Sequence, residues 1–221
     1  MTRGVIPAVA IFSESFWPLA PTEWTQVAIK NVVIADSLLG IVSALESPAR
    51  MAFVIDLPPA PALLPDAASV ILDGVQDAGN VGSILRSAAA FGFGQIIALK
   101  GTAALWSPKV LRAGMGAHFA LRLVERIEQR ALDVLTVPIV VTSSHVGSAL
   151  QAQTLPMPCA WALGHEGQGV SAALMARASL SVRIDQPGGE ESLNVAAAAA
   201  ICLHASAAAC AAMRAEHGAR L

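Results

Sequence analysis

The sequence predicts an α/β fold: a mostly parallel sheet with helices on both faces. Three observations carry that prediction. From Ala67 onward, short continuous apolar runs alternate with stretches of helical periodicity, the pattern of strands buried on both sides. Hydrophobic residues make up 55% of the 221-residue chain and charged residues only 14%, which excludes disorder and suffices for a large core. Glycine-bearing turns close several of the apolar runs, at the carboxyl edge where open parallel sheets bind ligands.

The elements follow in order. Residues 1–21 give no clear element, because prolines and aromatics interrupt any period. Within them VIPAVAIF follows Arg3 like a short export signal, but Glu14 and the bulky Phe16-Trp17-Pro18 argue against one. From Thr22, TEWTQVAIK reads as a capped helical turn, and Asn31–Ile34 as a β-branched strand. Asp36 or Ser37 then caps a helix, SLLGIVSAL, that breaks at Pro48, and Met51–Asp56 forms another strand. Residues 1–57 are thus a partial α/β piece, too short for a convincing domain alone. Residues 58–66 read as a proline-rich linker, and 67–221 as the main domain. Its strands are predicted at Ser69–Leu72, Gln95–Leu99, Ala120–Val124, Pro138–Thr142, Ala160–Leu163 and Leu180–Ile184. Helices are predicted near 80–91, 108–114, 125–135, 171–177 and 191–214. The run Val195–Met213 is long enough to span a bilayer. Its alanine content, His204 in mid-run and the lack of an aromatic belt predict a buried helix and no membrane partner.

Composition narrows the function. A net charge of −2 gives no bulk nucleic-acid signature, so any basic footprint must be local. Cys159, Cys202 and Cys210 are odd in number and lack metal spacing. They fit buried thiols in a reducing cytoplasm, with no metal site.

Three turns could carry chemistry. In LDGVQDAGNVGSILRSAAAFGFG, residues 72–94, a strand ends at Asp73 and a helix opens near Asn80. Arg86 then stands as a lone cation on a small, apolar helix. Asn80 sits where it can cap the helix or meet a ligand, whereas Arg86 by itself reads equally as a snorkelling surface side chain. Gly74, Gly79 and Gly82 do not make a dinucleotide fingerprint, and the absence of Gly-Lys-Ser/Thr excludes a P-loop. In ALGHEGQGV, residues 162–170, three glycines follow a strand, which implies positive φ or close backbone approach around Glu166. His165 reads as a turn residue, and no zinc-protease helix is present. In IDQPGGEESLNV, residues 184–195, a glycine loop with Ser192 and Asn194 opens the last helix. Backbone amides there favour a polar or anionic ligand, and Ser192 is a plain helix cap in the simplest reading.

Asn80-x-Gly-x-x-x-Arg86, then Gly164-x-Glu166-x-x-Gly169, then Gly188-x-x-Glu191-Ser192-Leu193-Asn194-Val195, each after a strand, resembles the SpoU (TrmH) family of RNA ribose 2′-O-methyltransferases, in the SPOUT superfamily. The resemblance covers about residues 67–214. It implies a C-terminal trefoil knot, for which the alanine-rich last helix provides close backbone passage. It also implies S-adenosylmethionine as cofactor, RNA (rRNA or tRNA) as substrate, and a homodimer whose interface completes the site. Donor binding is implied for Leu163, Gly164, Glu166, Gly167, Ile184, Gln186, Ser192 and Leu193. Catalytic roles are implied for Arg86, Asn80, Glu166, Ser192 and Asn194. Arg86 would stabilise the developing alkoxide and hold a phosphate, because an arginine is effectively always protonated. RNA contacts are implied for Arg86, and Lys109 and Arg112 stand beside Gly114-Met115-Gly116 as the local basic surface. Residues 22–57 resemble the second half of a ribosomal-protein-like (L30e-type) RNA-gripping domain. The sequence departs from the family where Asp185-Gln186 replaces the usual Pro-Met. That departure and the acidic balance keep a second expectation open: a knotted RNA-binding protein without catalysis.

Overall fold

The structure is a computed structural model and describes residues 4–43, 49–143, 147–188 and 192–218. The expected break at Pro48 and the loop residues Gly189, Glu190 and Glu191 lie outside the described residues. The chain divides into two compact units, Met1–Pro59 and Ala60–Leu221.

The first unit holds a three-stranded sheet of β1 (Val9–Ser13), β2 (Lys30–Ile34) and β3 (Met51–Val54), in the order β2-β1-β3. The central strand therefore comes from the stretch expected to be irregular. Its alternation is the reason: Ala10 and Phe12 are fully buried, while Val9 and Ile11 on the other face are half-buried. Trp17 packs edge-on against Phe12, with ring centroids 5.1 Å apart. The helix α1 (Thr22–Thr25) is a single turn. α2 (Asp36–Val42) starts one residue after Ala35 and has no side-chain cap. Asp36 instead accepts from the Ser15 hydroxyl at 2.9 Å.

The second unit is built on seven strands: β4 (Ser69–Asp73), β5 (Gln95–Leu99), β6 (Arg122–Ile127), β7 (Ile139–Thr142), β8 (Ser148–Ala149), β9 (Ala160–Gly164) and β10 (Leu180–Arg183). Their order is β6-β5-β4-β9-β7-β10-β8, and every neighbouring pair is parallel. All carboxyl ends of the strands thus lie along one edge. β4 shows why the sheet is two-faced: Val70 and Leu72 join one apolar cluster and Ile71 the other. The helices α3 (Ala78–Phe91), α4 (Pro108–Gly114) and α6 (Val195–Gly218) cover the first face with Ile84, Leu85, Val110 and Leu203. Leu132, and Leu174 from α5 (Ala172–Met175), cover the second. Gly82 lets α3 touch α4, since a Cβ there would stand 2.3 Å from that of Ala113.

Four expectations are corrected here. The helix expected at 125–135 is instead the end of β6 followed by a 3-10 turn, Gln129–Val134. A register shift between Ile97 and Leu99 carries the pairing on to Ile127, and Glu125 is held by the backbone N–H of Leu105 at 2.8 Å. Ala120, expected to open that strand, ends a 3-10 turn at Ala117–Ala120. Part of the proline-rich stretch is no free spacer: Leu64 exchanges two hydrogen bonds with the Gln95 side chain, and the Ala62 carbonyl accepts from Arg122. Among its described side chains, the last helix is buried along one stripe, at Ala199, Cys202, Leu203 and Ser206. Ala197, Ile201, His204 and Ala208 form the opposite stripe, spaced by helical turns and exposed.

Candidate active site

Three loops meet at the carboxyl edge of the sheet. The first leaves β4 and opens α3, where the Asp77 side chain caps the helix by accepting from the Asn80 N–H at 2.7 Å. The second leaves β9 and folds back on itself through paired backbone bonds between His165 and Gly169, at 3.0 and 2.8 Å. Gly169 takes φ 70°, which an L side chain rarely adopts. Gly164 is required for another reason: a Cβ there would lie 2.0 Å from the Gly169 carbonyl carbon and 2.1 Å from the Val170 nitrogen. Backbone cannot yield cheaply. Gly164→Ala is therefore expected to open this turn, lowering Tm in calorimetry and weakening donor affinity at least tenfold. The third loop follows β10 and opens α6.

One chain of side-chain hydrogen bonds ties the loops together. Glu166 accepts from the backbone N–H groups of Gln76 and Asp77, at 3.3 and 3.2 Å, and from the Asn80 amide at 3.1 Å. The Asn80 carbonyl oxygen accepts from the Asn194 amide at 2.9 Å. Asn194 uses its own oxygen to cap α6, accepting from Ala196 and Ala197 at 2.9 and 3.3 Å. The cap of the last helix is thus Asn194 and not Ser192. Asn80 is oriented from both sides, since its donor end meets a carboxylate and its acceptor end an amide. Burial opposes the charge on Glu166, but the Asn80 amide and the backbone N–H groups outweigh it and hold the carboxyl below its ordinary value.

Beside this chain of bonds lies a cleft of about 560 Å³. Of the residues expected at a donor site, Gly164, Glu166, Gly167, Ile184, Gln186, Ser192 and Leu193 line it, as does Asn194. Leu163, expected to meet the donor through its backbone, is not among the lining residues, and its side chain is buried in the core beneath. Thr142, Ser143, Val170 and Met175 also line the cleft and were not singled out from the sequence. The polar pair Thr142-Ser143 directly after an apolar strand was the available signal.

Arg86 is exposed on α3, does not line the cleft, and makes no hydrogen bond or ion pair among the described residues. Lys109 and Arg112 are exposed on α4, also away from the cleft. Asp185, the departure in the third loop, is turned away: its carboxylate accepts from Arg183 at 3.2 Å and does not line the cleft. Burial pushes the thiols of Cys159 and Cys202 up to about 12, so neither offers a thiolate at neutral pH.

Comparison with known proteins gives the chain's family and fold. RlmP, a 23S rRNA (guanosine(2553)-2′-O)-methyltransferase of Bacillus subtilis (strain 168), is 34% identical over 186 residues, 81% of this chain and 73% of that protein. The mitochondrial rRNA methyltransferase 3 of Mus musculus is 51% identical over 59 residues, 27% of this chain, so the match spans only 14% of that longer protein. Among solved structures, the SpoU methyltransferase AviRb of Streptomyces viridochromogenes, in complex with the cofactor AdoMet, shares the fold. It superposes with a TM-score of 0.77 at 23% identity, over 93% of this chain and 83% of that one. Residues 67–204, which run from just before β4 into α6, match the SpoU rRNA Methylase family, and the chain belongs to that family.

Proposed function

We propose that this protein transfers a methyl group from S-adenosylmethionine to a ribose 2′-hydroxyl of RNA. The observation that carries the reading is the Glu166–Asn80–Asn194 chain of hydrogen bonds, which joins three separate loops beside one cleft at the sheet's carboxyl edge. The cleft suits such a donor in two ways. Ile184, Leu193, Val195 and Met175 give it an apolar wall, and Glu166 supplies a negative charge for a cationic ligand. When bound, S-adenosylmethionine supplies a methyl group already activated on a sulfonium.

The chain's own residues then position and stabilise. Gly164 lets the second turn fold back onto Gly169 and Val170, which shapes the cleft that Gly167 also lines. Glu166 and Asn80 fix the loops and orient the incoming ribose, and Ser192 and Asn194 shape the donor loop. Holding the two reactants aligned is worth on the order of 7–11 kcal/mol. Arg86 stabilises the oxyanion that develops as the 2′-hydroxyl loses its proton, and it holds a neighbouring phosphate.

Arg86 stands outside its own chain's cleft, which supports a homodimer in which Arg86 of one subunit serves the cleft of the other. The exposed stripe of Ala197, Ile201, His204 and Ala208 supports the same assembly, with Ile201 left 40% exposed. Ile201→Asp is expected to convert dimer to monomer in sedimentation velocity and to abolish transfer. A trefoil knot belongs to the proposal. Thr142 and Ser148 pair with the same residue, Val182, from opposite sides of β10. β7 and β8, consecutive in the chain, therefore flank the strand that leads on to α6, which supports threading. The first unit is proposed to grip RNA, and Lys109 and Arg112 of the second unit are proposed as separate RNA contacts, in a cytoplasmic setting. The test is transfer from labelled donor to total rRNA and tRNA, with ribose-methylation mapping of RNA from a strain lacking the gene. A donor-binding chain that leaves every 2′-hydroxyl unmethylated in both assays overturns the proposal.

A further inference from the structure

The loop between β10 and α6 carries a group that the reading above leaves unexplained. Ile184, Asp185 and Gln186 run in succession from the end of β10. Ile184 and Gln186 line the cleft, while Asp185 between them turns away to Arg183. This is the alternation of extended chain. Among the described residues only two buried side-chain polar atoms lack a hydrogen-bond partner: His118 Nδ1, which lies against Gly114, and Gln186 Oε1. The second is on the wall of the cleft. A buried carbonyl oxygen without a donor is costly, and a glutamine side chain has enough rotatable bonds to turn it toward one.

The cleft distinguishes between the donors that a bound ligand could bring. Glu166 offers a full negative charge to a cationic group. Gln186 offers a neutral acceptor in a cleft also lined by the apolar Ile184 and Leu193. A purine is flat and apolar apart from its polar edge, and an exocyclic amine withdrawn from water needs such an acceptor. We propose that Gln186 reads the nucleobase of the methyl donor, its side-chain carbonyl accepting a hydrogen bond from the exocyclic amine of adenine. This rests on the cleft being the donor site.

The test is calorimetric titration of the full chain with S-adenosylhomocysteine and with S-inosylhomocysteine, in which a ring oxo group replaces the amine. Wild type is expected to favour the adenine compound by about tenfold or more, because a site built to pair an N–H discriminates against its absence. Gln186→Met keeps the length and removes the acceptor. It is expected to bind the two compounds within about twofold of each other, with unchanged circular dichroism. If the wild-type preference survives in Gln186→Met, or if both compounds lose affinity equally, the assignment of Gln186 is overturned while the donor site stands. If wild type binds neither compound, the donor-site reading itself fails and this assignment falls with it.

Discussion

Arg86→Ala is expected to abolish methyl transfer while leaving donor affinity within about twofold of wild type. The split follows from position. Arg86 lies outside the cleft of its own chain, and none of the cleft's hydrogen bonds involves it. Removing it therefore leaves the donor pocket intact. In the proposed role, what is lost is a cation that stabilises the negative charge developing on the ribose oxygen. Removing one such stabilising donor costs about 10²–10³ in rate, and loss of the phosphate contact lowers the rate further at limiting RNA. Arg86→Lys keeps the charge but not the planar fork, so only partial rescue is expected. Donor titration and single-turnover transfer, run on the same preparation, check both halves. Weakened donor binding with residual turnover would contradict the role.

Glu166→Gln should behave differently, lowering donor affinity and transfer together. Its carboxylate accepts from Gln76, Asp77 and Asn80 at once. The amide that replaces it points a donor at one of these donors. Losing a hydrogen bond to a charged group costs about 1.5–3 kcal/mol, or roughly 10- to 100-fold, and solvent exposure at Glu166 places the effect at the lower end. Because Asn80 is held between Glu166 and Asn194, the loss passes to the mouth of α6 as well. The pH dependence has a definite sign. The folded carboxyl lies below its ordinary value of 4.5, so its contribution is complete above that value and disappears as pH falls through the lower folded one. Donor affinity in wild type should weaken only in that acid range, and the Glu166→Gln variant should lack this acid limb.

The first unit shows where reading the residues in line goes astray. Nearby prolines hide the period of Val9–Ser13, yet Pro7 precedes the strand and its carbonyl still accepts from Ile29 at 3.0 Å. The last helix shows a second kind of miss. A run of alanines says that other backbone comes close but not on how many sides, and the described side chains of α6 are buried along one stripe. The region after Ala120 shows a third. A shift in pairing register there lengthened β6 at the expense of the expected helix, and such a shift depends on the neighbouring strand.

The order of residues alone determined the alternating parallel architecture, the three turns that carry the motifs and the family they resemble. Period, glycine placement and motif spacing are local properties that survive without coordinates. Only the tertiary structure decided which side chains share a site. It put Asn80, Glu166 and Asn194 in one chain of hydrogen bonds although 86 and 114 positions separate Asn80 from its two partners. It turned Asp185 out and Gln186 in, and it left Arg86 apart from the cleft. Those outcomes depend on strand order and on the crossing of chain segments distant in sequence, so no window along the sequence contains them.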